Sequence, residues 1–190
     1  MNNITITDKT FKNINFREEI LEKGDYDNCV FQNCHFSNVN LASFTFAECV
    51  FNSCDFSMAK ITNSSFRDAK FIDCKLLGLH FNECNEFFLS FSFDNCILNL
   101  SSFSRLKLRK INFNNCLLIE VDFSETDLSG AVFYECDLRG AIFSNTILEK
   151  IDFTTANNYA IDPENNRIKK AKFSLFGVVG LLDKYDIKIE

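Results

Sequence analysis

Large apolar residues recur at every fifth position through most of this chain, a period that neither a helix nor a lone strand produces. From Ile6 the series runs Phe11, Phe16, Leu21, Tyr26, Phe31, Phe36, Leu41, Phe46, Phe51, Phe56, Ile61, Phe66, Phe71, Leu76 and Phe81. The next step lands on Glu86 and the series breaks. It resumes two residues out of phase at Phe93 and runs to Phe153, alternating Phe and Leu. Internal repeats of this kind decide the fold before any local propensity does.

A coil with four equivalent sides accounts for the period if each side takes five residues and turns one large side chain inward. With that central residue as i, small residues dominate at i−2, as a position beside a Phe stack requires; Phe44, Leu79, Leu106, Ile111 and Ile151 are larger exceptions. All nine cysteines fall in the i−2 slot. A free thiol behaves as a small hydrophobe, so the pattern reads as core packing. From Glu22 to Asp152 every Asp, Glu, Lys and Arg except Glu86 lies at i−1, i+1 or i+2, and Glu86 sits where a two-residue excess must bulge outward.

Composition narrows the function classes. With 23 Phe, one Pro and six Gly, the chain lacks the turn residues of a conventional sandwich. A net charge of −6 disfavours direct nucleic-acid binding. Neither a signal segment nor a membrane-length apolar run is expected, which points to a cytoplasmic protein without membrane association. His35 and His80 are outward positions 45 residues apart, which is not a multiple of the 20-residue coil, so they should not share a side. No nucleophile set, phosphate loop, cofactor motif or metal-ligand spacing emerges, and the expectation is a binding protein rather than an enzyme.

Pentads such as Cys54-Asp55-Phe56-Ser57-Met58, Thr126-Asp127-Leu128-Ser129-Gly130 and Cys136-Asp137-Leu138-Arg139-Gly140 resemble the pentapeptide-repeat family. The resemblance covers residues 6–157. It implies an all-β, right-handed quadrilateral parallel β-helix with four pentads per coil. The expected organisation is a repeat region over 1–157, with its phase break at 82–92, and a separate module over 158–190.

In that module Ser174 is the expected N-cap of a short helix reaching Lys184, and Ile187 and Ile189 suggest a terminal strand. Leu175, Phe176, Val178, Val179, Leu181 and Leu182 make the helix apolar on more than one face, although Gly177 and Gly180 weaken it. One face caps the solenoid; the surplus suggests a two-fold dimer, with Phe173, Tyr185, Ile187 and Ile189 joining the interface, and capping alone is the alternative. The overall plan, with its Ile161-Asp162-Pro163-Glu164-x-Asn166-Arg167-Ile168 segment, resembles the Qnr, MfpA and McbG group. That resemblance implies a homodimeric acidic rod that imitates duplex DNA, binds DNA gyrase or topoisomerase IV and protects against quinolones or gyrase poisons.

The charge distribution bears on this reading. Residues 1–157 hold 21 acidic and 14 basic residues, whereas 158–190 hold five and six. Glu120, Asp122, Glu125, Asp127, Glu135 and Asp137 lie in a stretch without Lys or Arg, and are the candidate partner-binding surface; a merely solubilising role is the alternative. Asp25, Asp27, Glu48 and Asp55 form a second base-free group. Arg105 and Lys107 sit 20 residues before Glu125 and Asp127, in position to pair with them one coil on.

Overall fold

The computed structural model describes residues 4–189, which wind into a four-sided parallel β-helix. Side two carries a nine-stranded sheet whose strands include Thr10–Lys12, Val30–Gln32, Val50–Asn52, Ala69–Ile72, Phe91–Asp94 and, last, Lys172–Phe173. Side one carries a four-stranded sheet, Ile4–Thr7, Gly24–Asp27, Thr45–Ala47 and Ser65–Arg67. Sides three and four are held by single parallel bridges such as His35 to Asp55 and Ser102 to Asp122. With nine rungs at ~4.8 Å, side two is about 38 Å long.

The Phe positions become one structural feature once the chain is wound. Phe11, Phe31, Phe51, Phe71, Phe93, Phe113, Phe133, Phe153 and Phe173 all lie on side two as an unbroken ladder of rings. Successive centroids are 4.7 to 5.7 Å apart and successive planes 6° to 17° apart. After the break, Phe103, Phe123 and Phe143 form the opposing column on side four, edge-on to the first. Strict Phe/Leu alternation in sequence is therefore two facing Phe columns and two Leu columns in space. Buried aromatic pairs of this kind add ~0.5–1.5 kcal/mol each beyond area burial.

Six of the nine cysteines form a second ladder on side three: Cys34, Cys54, Cys74, Cys96, Cys116 and Cys136, all buried and unbridged. Their thiols donate to backbone carbonyl oxygens at 3.2 to 3.5 Å, so the slot favours a small side chain that can also donate. Ser64, Ser101, Thr126 and Thr146 use hydroxyls in the same way, donating to Leu41, Leu76, Phe103 and Phe123 carbonyls. Burial pushes the Cys49 and Cys84 thiols up to about 12.

The corners explain how a solenoid turns with so few glycines. Nearly every i+2 residue has a positive φ, among them Asn13, Asn28, Asn33, Asn63, Asn95 and Asn115, with Gly78, Gly130 and Gly140. Asn enters the left-handed region at low cost, and it also ladders between coils. Asn28 donates to Asp8 at 2.7 Å, and Asn95 to Asp73 at 2.6 Å.

The phase break falls where the period places it. Side-two registers step by 20 residues except across the break, where Phe71 pairs with Phe93 and Ile72 with Asp94. The extra two residues bulge from side one, near Glu86. Phe87 and Phe88 stand in solvent there, 71% and 66% exposed, with their ring centroids 4.2 Å apart. Phe88 has φ +60°, a conformation bulky residues rarely adopt.

The carboxy-terminal end differs from the sequence expectation in three respects. The β-helix does not stop at 157: Arg167 bridges Ile147, and Lys172–Phe173 extends the side-two sheet. Asn158 and Pro163 interrupt the period, but Tyr159 and Ile161 fill the core from neighbouring positions, and stepping on to Ile168 and Phe173 recovers the phase. The expected helix is instead two 3-10 turns, Gly177–Leu181 and Asp183–Tyr185. Its glycines serve close approach, since a Cβ at Gly177 would strike the Tyr159 hydroxyl and one at Gly180 the Tyr159 carbonyl. Ser174 does accept the Gly177 amide at 2.9 Å. Residues 186–189 do not form the expected strand; Glu190 lies outside the described residues.

Candidate interaction surface

Winding the chain disperses the six acidic residues that are adjacent in sequence. Asp122 lies on side four, bridged to Ser102; Asp127 on side one, bridged to Lys107; Asp137 on side three, bridged to Leu117. Glu120, Glu125 and Glu135 occupy corners at φ 56°, 59° and 51°. The six span 18 residues, nearly a full 20-residue coil, so they make a belt around the rod and not a patch.

Half of the belt is neutralised from within. Asp127 is buried at 6% exposure and takes the Arg109 guanidinium at 2.6 Å, with the Ser129 amide and hydroxyl as further donors. Burial opposes its ionisation, but the Ser129 and Arg109 hydrogen bonds together outweigh that and hold the carboxyl below the usual range. Asp127 therefore cannot serve as exposed partner surface, as its outward position suggested; its partner is Arg109, not Lys107. Arg105 meets Glu125 at 3.5 Å, and Arg139 meets Asp137 at 3.6 Å. Glu120, Asp122 and Glu135 keep their carboxylates outside any ion pair among the described residues.

A more continuous acidic surface lies on side one of the first four coils. Asp8, Asp25, Asp27, Glu48 and Asp68 line this side and its corner with side two, against Arg67 alone. Of the second base-free sequence group, Asp55 belongs elsewhere, on side three. His35 and His80 lie on sides three and four. Among the described residues no three His, Cys, Asp or Glu side chains converge as a metal site, and no helix is long and apolar enough to cross a membrane.

The carboxy-terminal end presents a separate apolar surface. Leu175 and Phe176 are 84% and 89% exposed, and Val178, Val179, Leu182, Tyr185, Ile187 and Ile189 are also exposed. Phe173 and Leu181 differ: Phe173 stacks on Phe153, and Leu181 packs against the core, so both belong to the capping layer. Lys184 bonds Asp162 and Glu164, each at 2.6 Å, and ties this end to the last coil.

The architecture is that of a repeat solenoid with an apolar core and most of its charged side chains on the outer faces. The family description "pentapeptide repeat region" matches residues 44–123 and 86–173, and the chain belongs to this family. No curated protein matches it. Among solved structures it is similar to a trypsin-treated form of QnrB1, described as a plasmid-mediated fluoroquinolone resistance protein. Identity is 23% and the TM-score 0.58, over 98% of this chain and 92% of that one. It is also similar to HetL of Nostoc sp. strain PCC 7120, a pentapeptide repeat protein involved in heterocyst differentiation regulation. There the identity is 19% and the TM-score 0.51, over 91% and 89%.

Proposed function

We propose that this protein is a rigid acidic rod that binds a type II topoisomerase, DNA gyrase or topoisomerase IV, in place of duplex DNA and thereby modulates quinolone or gyrase-poison action. The observation that carries the reading is the acidic half of side one. Its carboxylates recur about once per coil, at ~4.8 Å, along a straight edge. Duplex DNA offers a charge every ~1.7 Å counted over both strands, so a straight file of carboxylates approximates one strand's edge. Glu48 on this side, and Glu120 and Glu135 beyond it, sit at left-handed corners where Asn or Gly is the less strained choice, which favours a role for the charge itself. A basic DNA groove attracts such a surface over long range. The match to QnrB1 over nearly its whole length is in keeping with this function. In the same reading the carboxy-terminal apolar surface joins two copies end to end and doubles the rod.

A second reading, a protein-interaction module with another partner, is favoured by the internal neutralisation of Glu125, Asp127 and Asp137. A supercoiling assay with purified gyrase, with and without quinolone, separates the two. Inhibition of supercoiling or relief of drug-stabilised cleavage by the wild type, lost in Asp27→Lys/Glu48→Lys/Asp68→Lys, supports the first. No effect on activity, cleavage or drug sensitivity at micromolar protein overturns it.

A further inference from the structure

Side one changes sign at the phase break. Before it stand Asp8, Asp25, Asp27, Glu48 and Asp68 against Arg67. After it stand Lys107, Arg109, Lys110, Lys150, Arg167, Lys169 and Lys170 against Asp127 and Glu149. The two halves thus carry −4 and +5, from five acids with one base and seven bases with two acids. Both acids of the basic half are already paired, Asp127 with Arg109 and Glu149 with Arg167. Lys107, Lys110, Lys150, Lys169 and Lys170 make no ion pair among the described residues.

The position of the break gives this polarity a use. Four coils of side one precede it, centred on Ile6, Tyr26, Phe46 and Phe66, and four follow, centred on Leu108, Leu128, Leu148 and Ile168. The bulge with Phe87 and Phe88 is the fifth of nine. A two-fold axis through the middle of a nine-coil side exchanges the first coil with the ninth and the fourth with the sixth. Asp8 of one copy then faces Lys169 and Lys170 of the other. Asp25 and Asp27 face Lys150, Glu48 faces the coil whose Asp127 is already neutralised by Arg109, and Asp68 faces Lys107 and Lys110. The exposed rings meet their own copies at the axis, which is how an isologous contact is built.

From this match we propose that side one is a self-association surface, on which two copies lie antiparallel, acidic half against basic half, with Phe87 and Phe88 at the centre. A second copy is the occupant because it alone brings the complementary half in register with the apolar centre. The contact is a single narrow side about 38 Å long at ~4.8 Å per coil, at the small end of specific interfaces. Its attraction is mostly between exposed charges, so it weakens steeply as salt shortens the Debye length below ~10 Å. The proposal stands independently of the topoisomerase reading. If both hold, self-pairing covers the acidic half until a basic groove competes for it.

The experiment is sedimentation velocity on the full chain carrying Leu175→Asp and Phe176→Asp, which silences association through the end. Thermal unfolding of each variant confirms that it is folded. The expected result is a concentration-dependent dimer at low salt whose dissociation constant rises at least tenfold in half-molar salt, and likewise with Phe87→Ser/Phe88→Ser. Lys110→Glu and Asp68→Lys should each weaken the dimer, and the two together should restore it, because these positions face each other across the axis. A monomer at every salt concentration overturns the proposal, and so does failure of the paired reversal to restore association. Neither outcome depends on any effect on gyrase.

Discussion

Phe71 and Phe93 are 22 residues apart in sequence yet occupy successive rungs of one ladder, with ring centroids 5.4 Å apart and planes inclined by 15°. The side-two ladder therefore runs unbroken past the bulge. Two residues leave the coil on side one, and side two closes over the gap with its stacking intact. Ring for ring, the ladder should be sensitive to truncation and the bulge should not.

Phe113→Ala empties a fully buried site between Phe93 and Phe133, and should destabilise by ~3–5 kcal/mol. Phe87→Ala removes a ring already in solvent and should stay within ~0.5 kcal/mol of wild type. Thermal or denaturant midpoints of the two variants check this, and equal effects would contradict the ladder as described.

Alkali should begin to destabilise the protein at a pH below the ~10.4 at which lysines titrate. The Cys49 and Cys84 thiols are pushed up to about 12 by burial, whereas in an unfolded chain a thiol ionises near ~8.5. The unfolded state thus loses protons first as pH rises. This contribution is fully present below ~8.5 and is lost progressively as pH climbs towards 12. Thermal midpoints should be level to about pH 8 and fall beyond it, less steeply in Cys49→Ala/Cys84→Ala. In the native protein at neutral pH the nine thiols should react slowly with an aromatic disulfide, and all nine promptly in guanidinium.

Much of this was legible in the sequence because a period of five has one simple spatial solution. The central residues, the small i−2 column and the excess at Glu86 all follow from it. The 20-residue spacing also separated His35 from His80 and joined Arg105 to Glu125, but it did not sort neighbouring charges between corners and flat sides. Glu120 and Asp137 look like neighbours in one cluster, but winding puts Glu120 on a corner and Asp137 on a flat side, with Arg139 alongside. Arg109 pairs with Asp127 although they are 18 residues apart, since a long guanidinium reaches diagonally. The end of the solenoid was misplaced because Tyr159 and Ile161 enter the core from off-period positions. A two-pentad gap followed by Ile168 and Phe173 in phase was the available signal.

Arg109→Ala should leave the buried Asp127 carboxylate without its cationic partner, at a cost on the order of 1–3 kcal/mol. Lys107→Ala, one rung below Asp127 but bonded to nothing among the described residues, should cost almost nothing. The sign of the pH dependence follows from the depressed Asp127 pKa. Its stabilisation is present above the unfolded carboxylate value near ~3.9 and disappears as pH falls through the lower folded value. The gap between Arg109→Ala and wild type should therefore narrow at pH 3. A gap that is constant with pH would assign the loss to the Arg109 stem rather than its charge.

Glu135→Asn tests whether corner acids are kept for stability. At φ 51° Asn is less strained than Glu, so the variant should be more stable by a few tenths of a kcal/mol up to ~1 kcal/mol. A raised thermal midpoint with weaker topoisomerase binding would place Glu135 in the interaction surface. A lowered midpoint would show that the corner depends on this glutamate structurally.

The end surface offers the sharpest separation of packing from association. Leu175 and Phe176 point away from the solenoid at 84% and 89% exposure, so replacing them with Asp removes almost no intramolecular contact. Gly180→Ala is the opposite case, because the new methyl would enter the Tyr159 carbonyl and loosen the cap, with Ile161 losing its bond to the Gly180 carbonyl at 3.0 Å. If end-to-end pairing is real, Leu175→Asp/Phe176→Asp should lower the sedimentation coefficient in half-molar salt, where contacts between charged sides are screened, and leave the thermal midpoint unchanged. Gly180→Ala should lower the midpoint by several degrees. An unchanged sedimentation coefficient in the double variant would leave these side chains as an exposed cap and remove the doubled rod from the functional reading.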